Sequence, residues 1–477
     1  MRPLQLMRAG FSCTSLDAAL AASLAAALIL CAGCARTTDD RPDIVLVVLD
    51  TVRRDVAAPD QNGIVEAMPA LESLGRQGTV FTNAWATAPW TLPSHASILT
   101  GLLPSEHGCT GRDPRLSAEH RTIAEYLTEE GYECAAFFSN PWLTDEMSGM
   151  MRGFENRYVE SRGDDRIHYL RGSQGGLASN ANIARWLNDR EDERPFMLFV
   201  NYLEAHLPYD PSTEIREERL PDVPRDALVS TRWAYEFNAG LHPFDEVDWT
   251  RVRRLYQGDA STADALLGDL LSMLRKRGLY KDTVIVVTSD HGENLGDHGL
   301  LDHQFGVFET LIAVPLVVRA PGRLQQAVRD DPVMLIDIFP SILEIAGVSG
   351  APELARARSL FGPQSHPERP VIAEYAGANE ALVNRLLDLN PELDTSSMRT
   401  AYSTVRVESL RLTVGSDGSH ELKDFSVKRD GAIDLEIDGP AIAAALQEYL
   451  PAVGAPVGEI KMDESMREEL RSLGYLP

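Results

Sequence analysis

Three short stretches of this chain hold the residues that could do chemistry. Val48-Leu49-Asp50 closes an apolar run near the start, Trp90-Thr91-Leu92-Pro93-Ser94-His95 opens a helix-like segment, and Ser289-Asp290-His291-Gly292-Glu293 closes a second apolar run. Asp50, Asp290 and His291 are hard carboxylate and imidazole donors, which suit one divalent Mg, Mn, Ca or Zn rather than a thiolate metal. Pro93 fits the first turn of a helix, where its missing N–H is an orphan anyway. A helix beginning near Leu92 aims free backbone N–H groups and its positive end at Thr91. A bound cation lowers the pKa of such a hydroxyl, and the amides hold the equatorial oxygens of the group under attack. Each piece alone has a plainer reading: a helix N-cap for the threonine stretch, a strand-end cap for a single Asp. Together they point to a metal-dependent hydrolase or transferase acting on a phosphate or sulfate ester.

Those residues need elements that end at one place. Residues 43–49 form a continuous apolar run of the buried parallel-strand kind, and similar runs recur at 134–138, 196–202, 283–288 and 315–318. Helix-like segments lie between them at 67–77, 94–100, 118–130, 181–188 and 260–277. Strands alternating with helices predict an α/β fold with a doubly wound sheet, in which ligands bind beyond the carboxyl ends of the strands. Asp50 and Asp290 sit at two such ends. Residues 206–254 read as long, polar and irregular, with Trp233, Tyr235, Phe237, Phe244 and Trp249. A stretch of that kind is a lid or substrate wall, or else a decorated surface loop. Past Asp337-Ile338-Phe339-Pro340 the pattern loosens, and 401–414 and 433–437 alternate. This predicts a small C-terminal α+β domain at 365–477, after a catalytic domain at 41–360.

Residues 1–34 read as a targeting segment. Arg2 and Arg8 precede a 13-residue apolar run at 18–30, short of the about 20 residues a membrane span needs. Leu30-Cys31-Ala32-Gly33-Cys34 resembles a bacterial lipobox, with Cys34 lipidated, although Cys31 stands where Leu is usual. An ordinary signal peptide or an uncleaved anchor is the alternative. The expectation is an exported, lipid-anchored protein of the periplasm or cell envelope. The formal charge is −26; removing residues 1–33 takes away Arg2, Arg8 and Asp17, which leaves −27. Such a surface repels nucleic acid and gives no general attraction for anionic polymers. Cys109 and Cys134 could pair in an oxidising envelope, or lie apart as buried small hydrophobes.

Set in order, these pieces resemble the sulfatase branch of the alkaline phosphatase superfamily over nearly all of residues 43–477. Asp50 ends the first strand. Thr91-Leu92-Pro93-Ser94 through Leu99-Thr100-Gly101 is similar to the family's Cys/Ser-x-Pro-Ser-Arg…Thr-Gly nucleophile signature. Tyr202 to Tyr209 resembles its His-x-Pro-Tyr segment, Asp290-His291-Gly292-Glu293 and Val314-Pro315-Leu316 follow, and Leu473-Gly474-Tyr475-Leu476 is similar to the tails of related chains. The resemblance implies that His206 and His303 contact the substrate, His206 protonating the leaving oxygen and His303 standing where a Lys is common. It implies that Asn140 bonds a phosphoryl oxygen. His298 would be a substrate ligand or close a second metal site, and His95 would be a substrate contact or lie just behind the metal ligands.

The departures bear on the reaction. Sulfatases oxidise Cys or Ser at the Thr91 position to formylglycine; Thr carries a methyl group on that carbon and cannot give the aldehyde, so no formylglycine is expected. His95 replaces the family's Arg, Thr51 its second metal Asp, and His291 its metal Asn. Phe138-Ser139-Asn140-Pro141 replaces its Gly-Lys-Trp-His segment. The set Asp50, Thr91, Asp290, His291 is similar to single-metal phosphotransferases of the superfamily. A second metal calls for Asp-x-x-x-His, but residue 268 after Asp264 is Gly. The expectation is a hydrolase using unmodified Thr91 and one divalent metal, with phosphodiester or phosphonate ester substrates ahead of sulfate esters. A phosphoglycerol- or phosphoethanolamine-type transferase and a non-catalytic envelope lipoprotein are the alternatives.

Overall fold

The computed structural model describes residues 41–57, 67–159, 175–190, 194–224, 227–242, 244–363 and 368–425. The expected leader with Cys34, the alternating run at 433–437 and the tail at 473–476 lie outside the described residues.

The chain folds around one mixed sheet of eight strands: β1 (Ile44–Leu49), β2 (Thr79–Phe81), β3 (Glu133–Phe138), β4 (Asn156–Val159), β5 (Phe196–Tyr202), β6 (Val284–Thr288), β7 (Leu316–Arg319) and β8 (Ala327–Arg329), in the order β8-β2-β7-β6-β1-β5-β3-β4. β1 is central and runs parallel to β5 and β6. Its side chains divide with the two-residue period of a strand. Ile44, Leu46 and Val48 enter one apolar core, and Val45, Val47 and Leu49 enter the other. Both faces are therefore buried, which is why the run carries no polar alternation. The helix Thr91–Thr100 lends Leu92, Ile98 and Leu99 to the first core, while Glu246–Lys276 lends Leu255, Leu267, Leu270 and Leu274 to the second. Each such leucine, fully buried, stabilises the fold by roughly 1.5–3 kcal/mol.

Two expectations are corrected. The run at 315–318 is not a parallel strand: β7 lies antiparallel to both β6 and β2. An apolar run buried on both faces looks the same in either direction. The stretch at 206–254 is not irregular throughout: about half of it is helical, in Thr213–Arg219, Thr231–Asn238 and the start of Glu246–Lys276. Ser212, Ser230 and Asp245 cap these helices by accepting from Ile215 N, Trp233 N and Val247 N. The caps were legible; the polar and aromatic composition masked the helical period.

A second, antiparallel sheet follows in the order β9 (Val371–Tyr375), β10 (Tyr402–Val407), β11 (Leu410–Gly415), β12 (His420–Asp424). Ile372, Val405 and Leu412 join the core that also holds the Thr91–Thr100 helix. Among the described residues, no helix is long and apolar enough to cross a membrane.

Candidate functional site

Thr91 is the first residue of its helix. Trp90 before it is extended, and Gly101 ends the helix with left-handed φ 74, donating its N–H to Ser97 O. A Cβ on Gly101 would lie 2.6 Å from Leu354, so the tight exit also needs glycine sterically. The helix is fixed against the strand ends: Ser94 Oγ donates to Asp290 O at 2.6 Å. His95, one turn on from Thr91, places Nδ1 2.9 Å from Thr91 O and 3.3 Å from Asp290 Oδ2.

Asp50 and Asp290 do meet. Asp50 ends β1, and Thr51 after it takes φ 62, a left-handed conformation that a β-branched residue avoids. That turn aims Thr51 N at Asp290 Oδ1, at 3.2 Å. Strain of this kind persists where the surroundings over-determine it, commonly at functional sites. Asp50 Oδ2 accepts from Asn140 Nδ2 and from Asn201 Nδ2, each at 3.0 Å. Its Oδ1 has no hydrogen-bond partner, and neither has Asp290 Oδ2, though both are buried. His291 Nδ1 lies 2.8 Å from Gly292 O, which assigns the ring proton to Nδ1 and leaves the Nε2 lone pair facing the carboxylates. Nε2 stands 3.3 Å from Asp290 Oδ2 and 3.9 Å from Asp50 Oδ1. Burial pushes the imidazole pKa down to about 3, so it is neutral and fit to ligate. Two orphaned carboxylate oxygens and one imidazole nitrogen converge within 4.8 Å of one another. Left bare, two buried anions are costly; a divalent cation between them cancels their charge. The residues fit the expected metal.

Thr91 Oγ1 completes the group, 3.4 Å from His291 Nε2 and 3.4 Å from Asn140 Nδ2. Asn140 is held by Trp142 N donating to its Oδ1 at 3.1 Å, so its amide donors face Asp50 and Thr91.

His206 and His303 stand together beyond this set. Their ring centroids are 5.1 Å apart, and those of His303 and His291 are 4.6 Å apart. Burial and then the neighbouring His303 push His206 down to about 4, so it is neutral at pH 7. His303 goes the other way. Burial opposes its charge, but the Asp302 carboxylate at 2.8 Å and Glu293 at 3.5 Å outweigh it and hold the imidazole well above its ordinary pKa. Asp302, Gln304 and Phe305 flank it with φ of 81, 85 and 62. A narrow cleft runs from His303 past Trp90, Trp142, Tyr235 and Phe305.

Other sequence candidates fall outside. His298 is exposed and stacks on Phe308 at 4.0 Å, away from the metal ligands. Asp264 accepts from Ala70 N and Leu71 N and so caps the Pro69–Gly75 helix. Cys109 and Cys134 are buried free thiols. Sequence reasoning missed Asn201 and Asp302 and gave Glu293, though it stands in the Asp290-His291-Gly292-Glu293 segment, no role. Asn201 had a signal, being the lone amide inside the apolar run Phe196–Tyr202.

The sulfatase family profile matches residues 42–348. Mouse arylsulfatase K is 24% identical over 496 residues, covering 91% of this chain and 84% of that protein. Choline-sulfatase of Rhizobium meliloti is 25% identical over 393 residues, covering 71% and 75%. Among solved structures, the phosphonate monoester hydrolase of Agrobacterium radiobacter superposes with a TM-score of 0.67 at 20% identity, covering 86% of this chain and 94% of that one, which is a likeness of fold.

Proposed function

The chain belongs to the sulfatase family of metal-dependent ester hydrolases, and we propose that it cleaves phosphodiesters or phosphonate monoesters with the unmodified Thr91 hydroxyl as nucleophile. The observation that carries the reading is Thr91 Oγ1 at the head of its helix, 3.4 Å from His291 Nε2, beside the orphaned oxygens of Asp50 and Asp290. A cation held by Asp50, Asp290 and His291 would lower the pKa of that hydroxyl and offset charge on the ester oxygens. Thr91 Oγ1, its proton released to solvent, attacks phosphorus in line, and the bond from phosphorus to the leaving oxygen breaks. Asn140 holds a phosphoryl oxygen through Nδ2. His303, kept protonated by Asp302 and Glu293, gives the proton that the leaving oxygen needs. This moves the acid role from His206, which burial keeps neutral. Water then attacks phosphorus and frees Thr91. A sulfo-threonine is harder to resolve by this route, which is the chemical reason the family uses formylglycine for sulfate esters.

A sulfatase proper and a transferase to a lipid or glycan are the competing readings. Export with Cys34 as a lipid anchor belongs to the same proposal, on the lipobox resemblance. The test is turnover by residues 35–477 with Mn, Zn, Ca or Mg added singly. The panel is the p-nitrophenyl phosphate monoester, phosphodiester, phenylphosphonate and sulfate, with Thr91→Ala in parallel. Metal-dependent phosphodiester or phosphonate cleavage lost in Thr91→Ala is the expected result. Sulfate turnover as the dominant activity overturns it.

A further inference from the structure

The strand pair Asn294–Leu295 and Leu301–Asp302 joins the metal centre to His303, and the turn between its strands carries His298. His298 holds φ 57, another left-handed non-glycine residue. Gly296 in the same turn packs so closely on Trp249 that a Cβ would lie 2.9 Å from the ring, which pins the turn. Strain in a pinned, exposed turn asks for a function.

Cations from the second sheet gather beside it. His298 stacks on Phe308 at 4.0 Å, next in the chain to Glu309, which pairs with Arg406 at 3.6 Å. Arg406 lies 4.7 Å from the Trp85 ring centre, which Arg54 approaches at 4.9 Å. Glu309 serves both, at 3.0 Å from Arg54 and 3.6 Å from Arg406. Glu421 serves Lys423 at 2.8 Å and Arg411 at 3.9 Å. Four cations thus share two carboxylates, in a chain whose formal charge is −26. Arg411 is the telling member. Its side chain is 6% exposed, and its Nε has no hydrogen-bond partner among the described residues. A buried charged donor left unsatisfied is costly, so an acceptor bound there recovers that cost.

We propose that Arg406, Arg411, Lys423 and His298 form a second oxyanion subsite, which takes another phosphate, sulfate or carboxylate of the same substrate whose ester meets Thr91. Guanidinium groups suit such oxygens because their donors match them two at a time. His298 and His303 are five residues apart, so their Cα atoms are at most about 18 Å apart even along a fully extended chain. Two anionic groups on neighbouring units of an oligomer or a head group span such a gap. Tethering them makes the second contact intramolecular, which raises affinity without altering the first. The substrate class is then polyanionic. This rests on the ester-hydrolase reading of the Thr91 site.

Calorimetry on the metal-loaded Thr91→Ala protein tests it without turnover. The probes are methylphosphonate, α,ω-alkane bisphosphonates of increasing chain length, and inorganic sulfate. The best-matched bisphosphonate should bind at least about tenfold tighter than methylphosphonate. Arg406→Gln, and separately Lys423→Gln, whose side chain is only half-buried, should erase that advantage. Sulfate should occupy a site that Lys423→Gln weakens and Thr91→Ala leaves intact. A bisphosphonate series with no gain at any length, or a gain that survives both variants, overturns the subsite. Failure of methylphosphonate to bind overturns instead the Thr91 reading, and the sulfate titration still decides the subsite.

Discussion

Asp290→Asn tests the metal centre without a substrate. The substitution keeps Oδ1, which accepts from Thr51 N at 3.2 Å and His291 N at 3.0 Å. It removes the anionic Oδ2, which is buried without a hydrogen-bond partner and whose carboxyl burial holds above its ordinary pKa. In EDTA the variant should therefore melt no lower than the wild type, because one of two facing buried anions is gone. With a divalent cation at 1,000 times its Kd, the wild type gains about 4 kcal/mol. For roughly 400 residues the unfolding entropy is about 0.8 kcal/mol/K, so the melting temperature should rise by about 5 °C. Losing one carboxylate ligand and about a hundredfold in affinity leaves a gain of about 1.4 kcal/mol, a shift under about 2 °C. Differential scanning calorimetry with and without EDTA reads all four values. A wild-type melting point that ignores EDTA, or a metal-free variant that melts several degrees lower, refutes the reasoning.

Further outcomes follow from the same coordinates. Asn201→Ala removes one of the two donors to Asp50 Oδ2 and should weaken metal binding by about 10–100-fold, read by competition with a chelating dye. His107 is buried against Ser97 and Pro93, and burial pushes it down to about 3. Its folded pKa lies below the unfolded value of about 6.5, so it contributes stability above that pH and loses it as the pH falls. The loss is about 2 kcal/mol by pH 5. His107→Gln should flatten the stability profile between pH 6.5 and 5, and a profile parallel to the wild type sinks the idea. Burial raises the thiols of Cys109 and Cys134, the latter to about 12, so in a chain of residues 35–477 neither should react with Ellman's reagent at pH 8 until denaturant is added.

Much of the centre could be read from the sequence because it depends on strand ends. The run before Asp50 and the run before Asp290 are buried on both faces, so their apolar character is unbroken and their carboxyl ends are plain. Pro93 marked the helix start and Gly101 its end, which placed Thr91. What could not be read depends on direction and distance. β7 runs opposite to its neighbours, yet its composition is that of a parallel strand. Asn140, His206 and His303 reach the site from separate loops, and only the family resemblance singled them out. The protonation of His303 and the neutrality of His206 come from Asp302, Glu293 and depth of burial, none of which spacing reveals. The resemblance gave His298 a substrate or second-metal role, but its turn stacks it on Phe308, apart from the Asp50, Asp290 and His291 cluster.

The central claim is that an unmodified threonine is the nucleophile. Its most direct test is mass spectrometry of the Thr91 peptide from metal-loaded protein, acid-quenched while it turns over a p-nitrophenyl phosphodiester or phenylphosphonate. The account predicts a metal-dependent phosphoryl or phosphonyl adduct on Thr91, with no turnover by Thr91→Ala. An unmodified Thr91 peptide from protein in steady turnover, together with a Thr91→Ala variant that keeps its rate, contradicts it.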